Sequence, residues 1–277
     1  MFAILLALAI TVPKVKATVG YAAMDLDTGR FIGNRPEQRF PMGSVYKLPI
    51  GIALLQRVDR GELSLATEYT LQPSDFSPGW SPVRDKANGK PVTMTLGALF
   101  DAMVSDSDNS CSDFIQGLLG SGTPVTKAMR ALKIYNVRVD RTEKQIKADV
   151  DAKGVADFNS DVRDTASPVG MVDLLLKIYT RHDGLKKESH DLLMRTLESS
   201  RNPVRIAKLL PPGTIVAHKT GSMPGVLNDT AIVTSPDGKH HIAMAIFVNR
   251  ARPDTDGVAK AQVIESVAKQ IYDFFTQ

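Results

Sequence analysis

Cysteine is almost absent from this chain, and the absence is informative. Cys111 stands alone among 277 residues, so no intrachain disulfide and no thiolate metal cage can form. It follows Asn109 by two positions in an apolar helical pattern and reads as a small core residue. The five histidines (His182, His190, His218, His240 and His241) make no H-x-x-x-H or H-E-x-x-H pattern, which predicts no metal site. Internal repeats and low-complexity tracts are also missing, which excludes solenoids and linker-rich chains. Lys and Arg number 34 against 30 Asp and Glu, a net charge of +4, and no basic run is interleaved with aromatics. The balance describes a solvated basic surface and no nucleic-acid partner. At 43% hydrophobic and 23% charged residues the composition is that of a globular protein with a large core, either one large domain or two closely packed lobes.

Long hydrophobic runs are scarce too. Phe2 to Val12 is apolar but too short to span a bilayer as a helix, so no stable membrane insertion is expected. The run resembles the core of a secretory signal, and Val15-Lys16-Ala17 resembles a small-residue cleavage site. The basic segment that should precede the run is missing, and Lys14 and Lys16 follow it instead. Residues 1–17 therefore read either as a signal, which implies a periplasmic or secreted protein, or as the first helix of the fold. Residues 18–277 read as a single domain.

What is present is a chemical constellation. Ser44-Val45-Tyr46-Lys47 puts a hydroxyl and a primary amine one helical turn apart on the same face. A serine hydroxyl is a weak nucleophile until a base stands within hydrogen-bond reach, and a desolvated lysine is such a base. At a helix start, outward-pointing N–H groups also favour a developing oxyanion. In Ser107-Asp108-Asn109 a hydroxyl can shuttle a proton and an amide can hold a carbonyl; the same residues are also favoured helix caps. Lys219-Thr220-Gly221 ends a predicted strand, where a cation, a hydroxyl and a bare backbone can face a carboxylate, or where a strand merely turns at glycine.

Coarse periodicity places these motifs. Val19 to Leu26 and Arg30 to Asn34 read as a hairpin around Asp27-Thr28-Gly29. A helix is expected from about Ser44 to Arg60, kinked near Pro49 and ended by Gly61. Helical segments follow at 95–104, 110–119, 123–132, 168–180 and 189–197. Between Asp140 and Asp164 no helical period persists, which predicts a long functional loop. Thr214 to Lys219, Thr230 to Ser235 and His240 to Asn249 read as strands, and Ala259 to Phe275 as a closing amphipathic helix. The pattern predicts an α+β fold. A five-stranded antiparallel sheet built from both ends of the chain (about 18–60 and 206–277) is flanked by N- and C-terminal helices. An all-helical region (about 61–205) is inserted, with a cleft where the two lobes meet.

In order and spacing the three motifs resemble those of class A serine β-lactamases, within the β-lactamase and penicillin-binding protein superfamily, from about Val19 to the C-terminus. Further segments share the resemblance: Trp80-Ser81-Pro82-Val83 at the cleft wall, Arg138-Val139-Asp140-Arg141-Thr142-Glu143 opening the Ω-loop, Arg163-Asp164-Thr165 closing it, and Asn202-Pro203-Val204-Arg205-Ile206. The resemblance implies a serine hydrolase that opens the β-lactam ring of penicillin- or cephalosporin-type antibiotics without a cofactor, acting as a monomer on a small molecule. It implies Ser44 as nucleophile, Lys47 as base or relay, Ser107 and Lys219 in proton delivery, and Glu143 as the base that activates the deacylating water. The carboxylate would bind at Thr220, Lys219 and Arg205, and the side-chain amide at Asn109 and Ser222. Gly221 and Trp80 would shape the cleft, and Arg141 and Asp164 would close the loop as an ion pair. Lys147 departs from the pattern, standing where the family has an asparagine; it would either pair with Glu143, weakening that base, or point to solvent. Asp113 stands where an asparagine commonly braces the loop, and would meet Lys147. The alternatives are a D-Ala-D-Ala peptidase or other penicillin-binding protein, against which Glu143 in its Arg-Val-Asp-Arg context argues, and a slow-release β-lactam sensor.

Overall fold

The structure is a computed structural model that describes residues 10–199, 204–250 and 257–277. In chain order its elements are β1 (Thr18–Asp25), β2 (Phe31–Asn34), β3 (Phe40–Pro41), α1 (Lys47–Asp59), β4 (Glu68–Leu71), α2 (Pro82–Ala87), β5 (Val92–Thr95), α3 (Leu96–Val104), α4 (Asn109–Leu119), α5 (Gly122–Ala131), α6 (Glu143–Lys153), α7 (Val155–Phe158), β6 (Thr165–Ala166), α8 (Pro168–Tyr179), α9 (Lys187–Glu198), β7 (Ile215–Met223), β8 (Val226–Thr234), β9 (His241–Asn249) and α10 (Gly257–Thr276).

Five strands form one antiparallel sheet in the order β2-β1-β9-β8-β7. Its central strand, β9, is apolar along nearly all its length because both of its faces are covered. Ile242, Met244, Ile246 and Val248 pack against Val263, Ile264, Val267 and Ile271 of α10. The intervening Ala243, Ala245 and Phe247 face the larger core, shared with α1 and α8. Helix α1 is the hub of that core. Leu48, Ile50, Ile52, Leu54 and Leu55 are all fully buried, so the helix is apolar around its circumference.

The inserted region is predominantly helical, and its helices are capped where short polar residues precede them. Thr95, Asp108, Ser121 and Ser167 accept backbone N–H groups at the starts of α3, α4, α5 and α8. It also carries the short pair β4–β5, while β6 joins β3.

Three expectations are corrected. Residues 140–164 are not a loop without helix. They contain α6, started by a Thr142–Gln145 capping box and by Asp113, which accepts the N–H groups of Glu143 and Lys144. Strand β7 does not end at Lys219 but continues to Met223, joined to β8 by a two-residue turn at Pro224-Gly225, where Gly225 takes φ +75°. The helix carrying Ser44 begins as a 3-10 turn at Gly43–Tyr46 before α1 starts at Lys47. The reading of residues 1–17 falls partly outside the described residues. Residues 10–17 are described and form no helix; Ile10, Val12 and Val15 pack against the apolar cluster that α10 shares with the sheet, and Thr11 is bonded to Gln270 of α10. Among the described residues no helix is long and apolar enough to cross a membrane.

Candidate active site

Ser44 lies on the 3-10 turn that leads into α1, so Lys47, the first residue of the helix, is carried back toward it. Lys47 is fully buried, and its Nζ lies 3.2 Å from Ser44 Oγ, 2.7 Å from the Ser107 carbonyl, 2.6 Å from Asn109 Oδ1 and 3.3 Å from Glu143 Oε1. Every neighbour is an acceptor, so the amine is held at one point and not free to swing.

Ser107 and Asn109 come from the turn before α4, with Asp108 between them. The capping reading of this turn holds. Asp108 is the cap, accepting the Cys111 N–H at 3.0 Å, while its two neighbours face the amine of Lys47. Ser107 takes φ +61°, a left-handed conformation that costs a non-glycine residue on the order of 1–2 kcal/mol. In this conformation its carbonyl accepts from Lys47 and its hydroxyl accepts from Lys219 Nζ at 2.9 Å, so one residue bridges the two amines. Asn109 donates to the Pro78 carbonyl at 2.9 Å, and its own N–H meets the Trp80 carbonyl, which ties the cleft wall to α4. Trp80 is 64% exposed, and its Nε1 donates to the Asp106 carbonyl at 2.8 Å.

Strand β7 supplies the opposite wall. Burial holds the Lys219 ammonium well below the usual lysine range, and the nearby cations Lys47 and Arg205 push it in the same direction. Arg205 enters from a neighbouring 3-10 turn at φ +57° and reaches across the strand edge. It donates to the carbonyls of Gly221 at 3.0 Å and Asn228 at 2.5 Å, and to Ser222 Oγ at 2.5 Å. Thr220 is half-buried beside Lys219, and Ser222 is exposed at the mouth. Asn202 and Pro203, which precede this turn, lie outside the described residues.

Glu143 opens α6, and the loop that carries it is closed by charge. Arg141 Nε meets Asp164 Oδ2 at 2.6 Å with both side chains 5% exposed, and Arg141 Nη1 also reaches Asp149 at 2.6 Å and Asp161 at 3.3 Å. Asp113 takes three donors, Ser77 Oγ at 2.7 Å and the backbone N–H groups of Glu143 at 2.6 Å and Lys144 at 3.0 Å. Burial raises its carboxyl above the ordinary range, and these three donors oppose that rise. Asp113 therefore braces the start of α6 and does not meet Lys147. Lys147 instead pairs with Asp151 one turn along, 2.5 Å away at an exposed rim, and leaves Glu143 to Lys47.

These residues enclose a cleft of about 390 Å³ with Ser44 at its floor, Trp80 and Asn109 on one side and Ser222 and Met223 on the other. Of the residues singled out from the sequence, Ser44, Trp80, Asn109, Glu143 and Ser222 line this cleft, and Arg141 and Asp164 close its loop. Lys47, Ser107, Lys219, Thr220, Gly221 and Arg205 do not line it; Lys47 lies behind Ser44, and Arg205 bonds the β7 edge at Gly221 and Ser222. Tyr46, Ile146 and the α6 face were missed as lining residues; Ile146 and Val150, four apart, were the available signal. Among the described residues no group of three or more His, Cys, Asp or Glu side chains is arranged to hold a metal ion. The arrangement provides a hydroxyl with an amine at its side, a carboxylate behind that amine, a second amine–hydroxyl pair across the cleft, and two cations beside it for an anionic substrate group.

Residues 6–275 match the model of the beta-lactamase enzyme family. Among curated proteins the chain is 28% identical over 269 residues to the beta-lactamase VEB-1 of Pseudomonas aeruginosa, covering 94% of this chain and 86% of that one. It is also 28% identical over 267 residues to the extended-spectrum beta-lactamase PER-1 of the same organism, covering 94% and 83%. Among solved structures, a beta-lactamase from Chitinophaga pinensis superposes with a TM-score of 0.83 at 29% identity, covering 94% of each chain. The TLA-1 extended-spectrum beta-lactamase superposes with a TM-score of 0.85 at 28% identity, covering 96% of this chain and 95% of that one.

Proposed function

The chain belongs to the beta-lactamase enzyme family, and from that premise we propose that Ser44 is the nucleophile that opens a β-lactam ring and Glu143 the base that releases the product. Ser44 Oγ attacks the lactam carbonyl and its proton passes to the Lys47–Glu143 pair. The backbone N–H groups of Ser44 and Ser222 receive the oxyanion. As the C–N bond breaks, the ring nitrogen takes a proton from the Ser107 hydroxyl, which Lys219 replenishes at 2.9 Å. Water then gives a proton to Glu143 and attacks the ester carbonyl, and Ser44 leaves with a proton returned from Lys47. The proton left on the Lys47–Glu143 pair and the one that Lys219 gave up are exchanged with bulk solvent, since Ser107 meets Lys47 through its carbonyl and Lys219 through its hydroxyl. Thr220, Lys219 and Arg205 bind the substrate carboxylate, Asn109 and Ser222 the side-chain amide, Gly221 admits the ring against bare backbone, and Trp80 walls the cleft. Arg141 and Asp164 hold the loop that presents Glu143.

One observation carries the proposal: the Lys47 amine lies within 3.3 Å of both the Ser44 hydroxyl and the Glu143 carboxylate. A single buried group thus serves acylation and deacylation. A slow-release sensor would have been favoured by Lys147 on Glu143, and Lys147 is bonded to Asp151 instead. The test is Ser44→Ala incubated with one penicillin. Hydrolysis should cease and no covalent mass should appear, whereas parental turnover in this variant would end the proposal. The apolar run at 2–12 supports export to the periplasm or beyond, while the packing of Ile10, Val12 and Val15 against the cluster between the sheet and α10 favours retention of these residues. N-terminal sequencing of exported protein decides between a start at residue 18 and one before residue 10.

A further inference from the structure

Strand β8 carries three adjacent buried polar residues, Asn228, Asp229 and Thr230, and the first two tie the strand to the turns that bear Ser44 and Arg205. Both are fully buried, and strand alternation sends their side chains to opposite faces of the sheet. Asp229 takes the outer face, where it accepts from His218 Nδ1 and from the Ile206 N–H, anchoring the turn that bears Arg205. Asn228 takes the inner face. Its Nδ2 donates to the carbonyls of Pro41 at 2.7 Å and Met42 at 3.0 Å, and its Oδ1 accepts from the Val248 N–H at 3.2 Å. Both amide hydrogens are thereby used on the two peptides just before Gly43 and Ser44, 187 and 186 positions away in sequence.

We infer that Asn228 is a positioning residue for the oxyanion hole: its amide fixes the Pro41–Met42 backbone to the sheet and so sets the Ser44 N–H against the Ser222 N–H. The inference rests on the reading of Ser44 as nucleophile. Three further observations give it geometry. Asn228 is the register partner of Gly221, the residue before Ser222, so one residue holds both walls of the hole, β7 by its backbone and the nucleophile turn by its side chain. The two walls touch without an intervening side chain. A Cβ on Gly221 would collide with the Met42 carbonyl oxygen and stand 3.1 Å from Ser44 N, and a Cβ on Gly43 would stand 3.2 Å from Ser222 N. Finally, the Asn228 carbonyl accepts from Arg205, which also bonds Gly221 and Ser222, so the same junction is braced from outside.

The physical consequence is selective. A ground-state carbonyl tolerates a donor displaced by a few tenths of an ångström, whereas the oxyanion gains from both N–H groups only when they converge on it. Loss of the Asn228 amide should therefore slow acylation while leaving the encounter complex intact.

Asn228→Leu keeps the branch at Cγ, though with a larger side chain, and removes the donors; Asn228→Asp keeps the shape and presents acceptors to two carbonyls. Both are read by stopped-flow acylation with a chromogenic cephalosporin, which separates the dissociation constant of the encounter complex from the acylation rate. They are also read by inhibition with a boronic acid whose tetrahedral adduct on Ser44 places an oxygen in the hole. The acylation rate is expected to fall about tenfold to a hundredfold. Boronic acid affinity should weaken by a matching factor, and the dissociation constant should change less than twofold. Asn228→Ser, smaller and able to donate to one carbonyl, should fall between these variants and the parent; it carries the test if the other two do not fold. Parental acylation in the folded variants, or equal losses in encounter and acylation, would overturn the inference. Absence of any acylation in the parent chain would instead overturn the Ser44 reading beneath it.

Discussion

Lys47 Nζ stands 3.3 Å from Glu143 Oε1, so the residue beside the proposed nucleophile is also the ion-pair partner of the residue proposed to activate water. The relationship separates the two half-reactions experimentally. Glu143→Gln keeps a polar neighbour for Lys47 but cannot accept a proton from water. Acylation should survive, and release should slow by about 10²–10⁴, the usual worth of a positioned general base. Intact-protein mass spectrometry after mixing with a penicillin would show the adduct accumulating in Glu143→Gln and not in the parent. A variant that releases product at the parental rate would remove Glu143 from the mechanism.

Lys219 makes a pH-dependent prediction. Burial, followed by the cations of Lys47 and Arg205, holds its ammonium well below the usual lysine range. In the proposed mechanism its charge attracts the substrate carboxylate, so raising pH removes that attraction. kcat/KM should fall on an alkaline limb that begins below the ordinary lysine pKa, through KM as the carboxylate loses its partner and through acylation as Ser107 loses its proton source. In Arg205→Ala one depressing cation is gone, so the limb should move to higher pH even as overall binding weakens. The unfolded chain binds this proton more tightly than the folded one. Stability should therefore rise with pH between the depressed value and the ordinary one. A pH–rate series on parent and Arg205→Ala, with a carboxylate-bearing substrate, checks the direction.

The parts of the site that the sequence revealed are those whose geometry is local. Ser44 and Lys47 are three residues apart at a helix start, so their contact follows from helical pitch alone. Lys219 and Ser107, 112 positions apart, were joined only by resemblance, since no local rule brings them within 2.9 Å. Helix α6 was hidden because its apolar stripe is only Ile146 and Val150, and because one of its anchors, Asp113, lies 30 positions upstream. The fate of Lys147 was open for the same reason. Its partner Asp151 is a local i,i+4 choice, while Glu143 at the same spacing was already engaged by a lysine from another helix. Asn228 offered a different kind of signal, a polar residue inside a buried strand, and such residues are retained only where their hydrogen bonds are met.

Asp113 joins the stability of α6 to turnover. Asp113→Leu would strand the Ser77 hydroxyl and the N–H groups of Glu143 and Lys144 without their acceptor. Loss of these bonds should cost about 2 kcal/mol, in the range of a lost helix cap with a charged acceptor. Because the unseated residue is Glu143, deacylation should suffer more than acylation. Thermal unfolding gives the first quantity, and burst amplitude against steady-state rate gives the second. Equal losses in both half-reactions would show that Asp113 supports the fold without favouring Glu143.

The charge cluster that closes the loop predicts an order of damage. Arg141 faces three carboxylates, Asp164 at 2.6 Å, Asp149 at 2.6 Å and Asp161 at 3.3 Å. Removing it in Arg141→Ala leaves Asp164 buried without its cation, while Arg163 still pairs with Asp149 and Asp161. Breaking a buried pair in this way costs about 3–5 kcal/mol. Asp164→Asn is milder, because Arg141 keeps Asp149 and Asp161, and an amide oxygen can still accept the backbone N–H groups of Asp140 and Arg141 that now meet Oδ1. Asparagine also tolerates the left-handed φ of +52° at this position, which alanine would not. Arg141→Ala should therefore lower the melting temperature more than Asp164→Asn, and amide exchange should accelerate across 140–164 in both before the sheet is affected. The reverse order would mean that Asp149 and Asp161 do not share the charge of Arg141, and that the loop is latched by Asp164 alone.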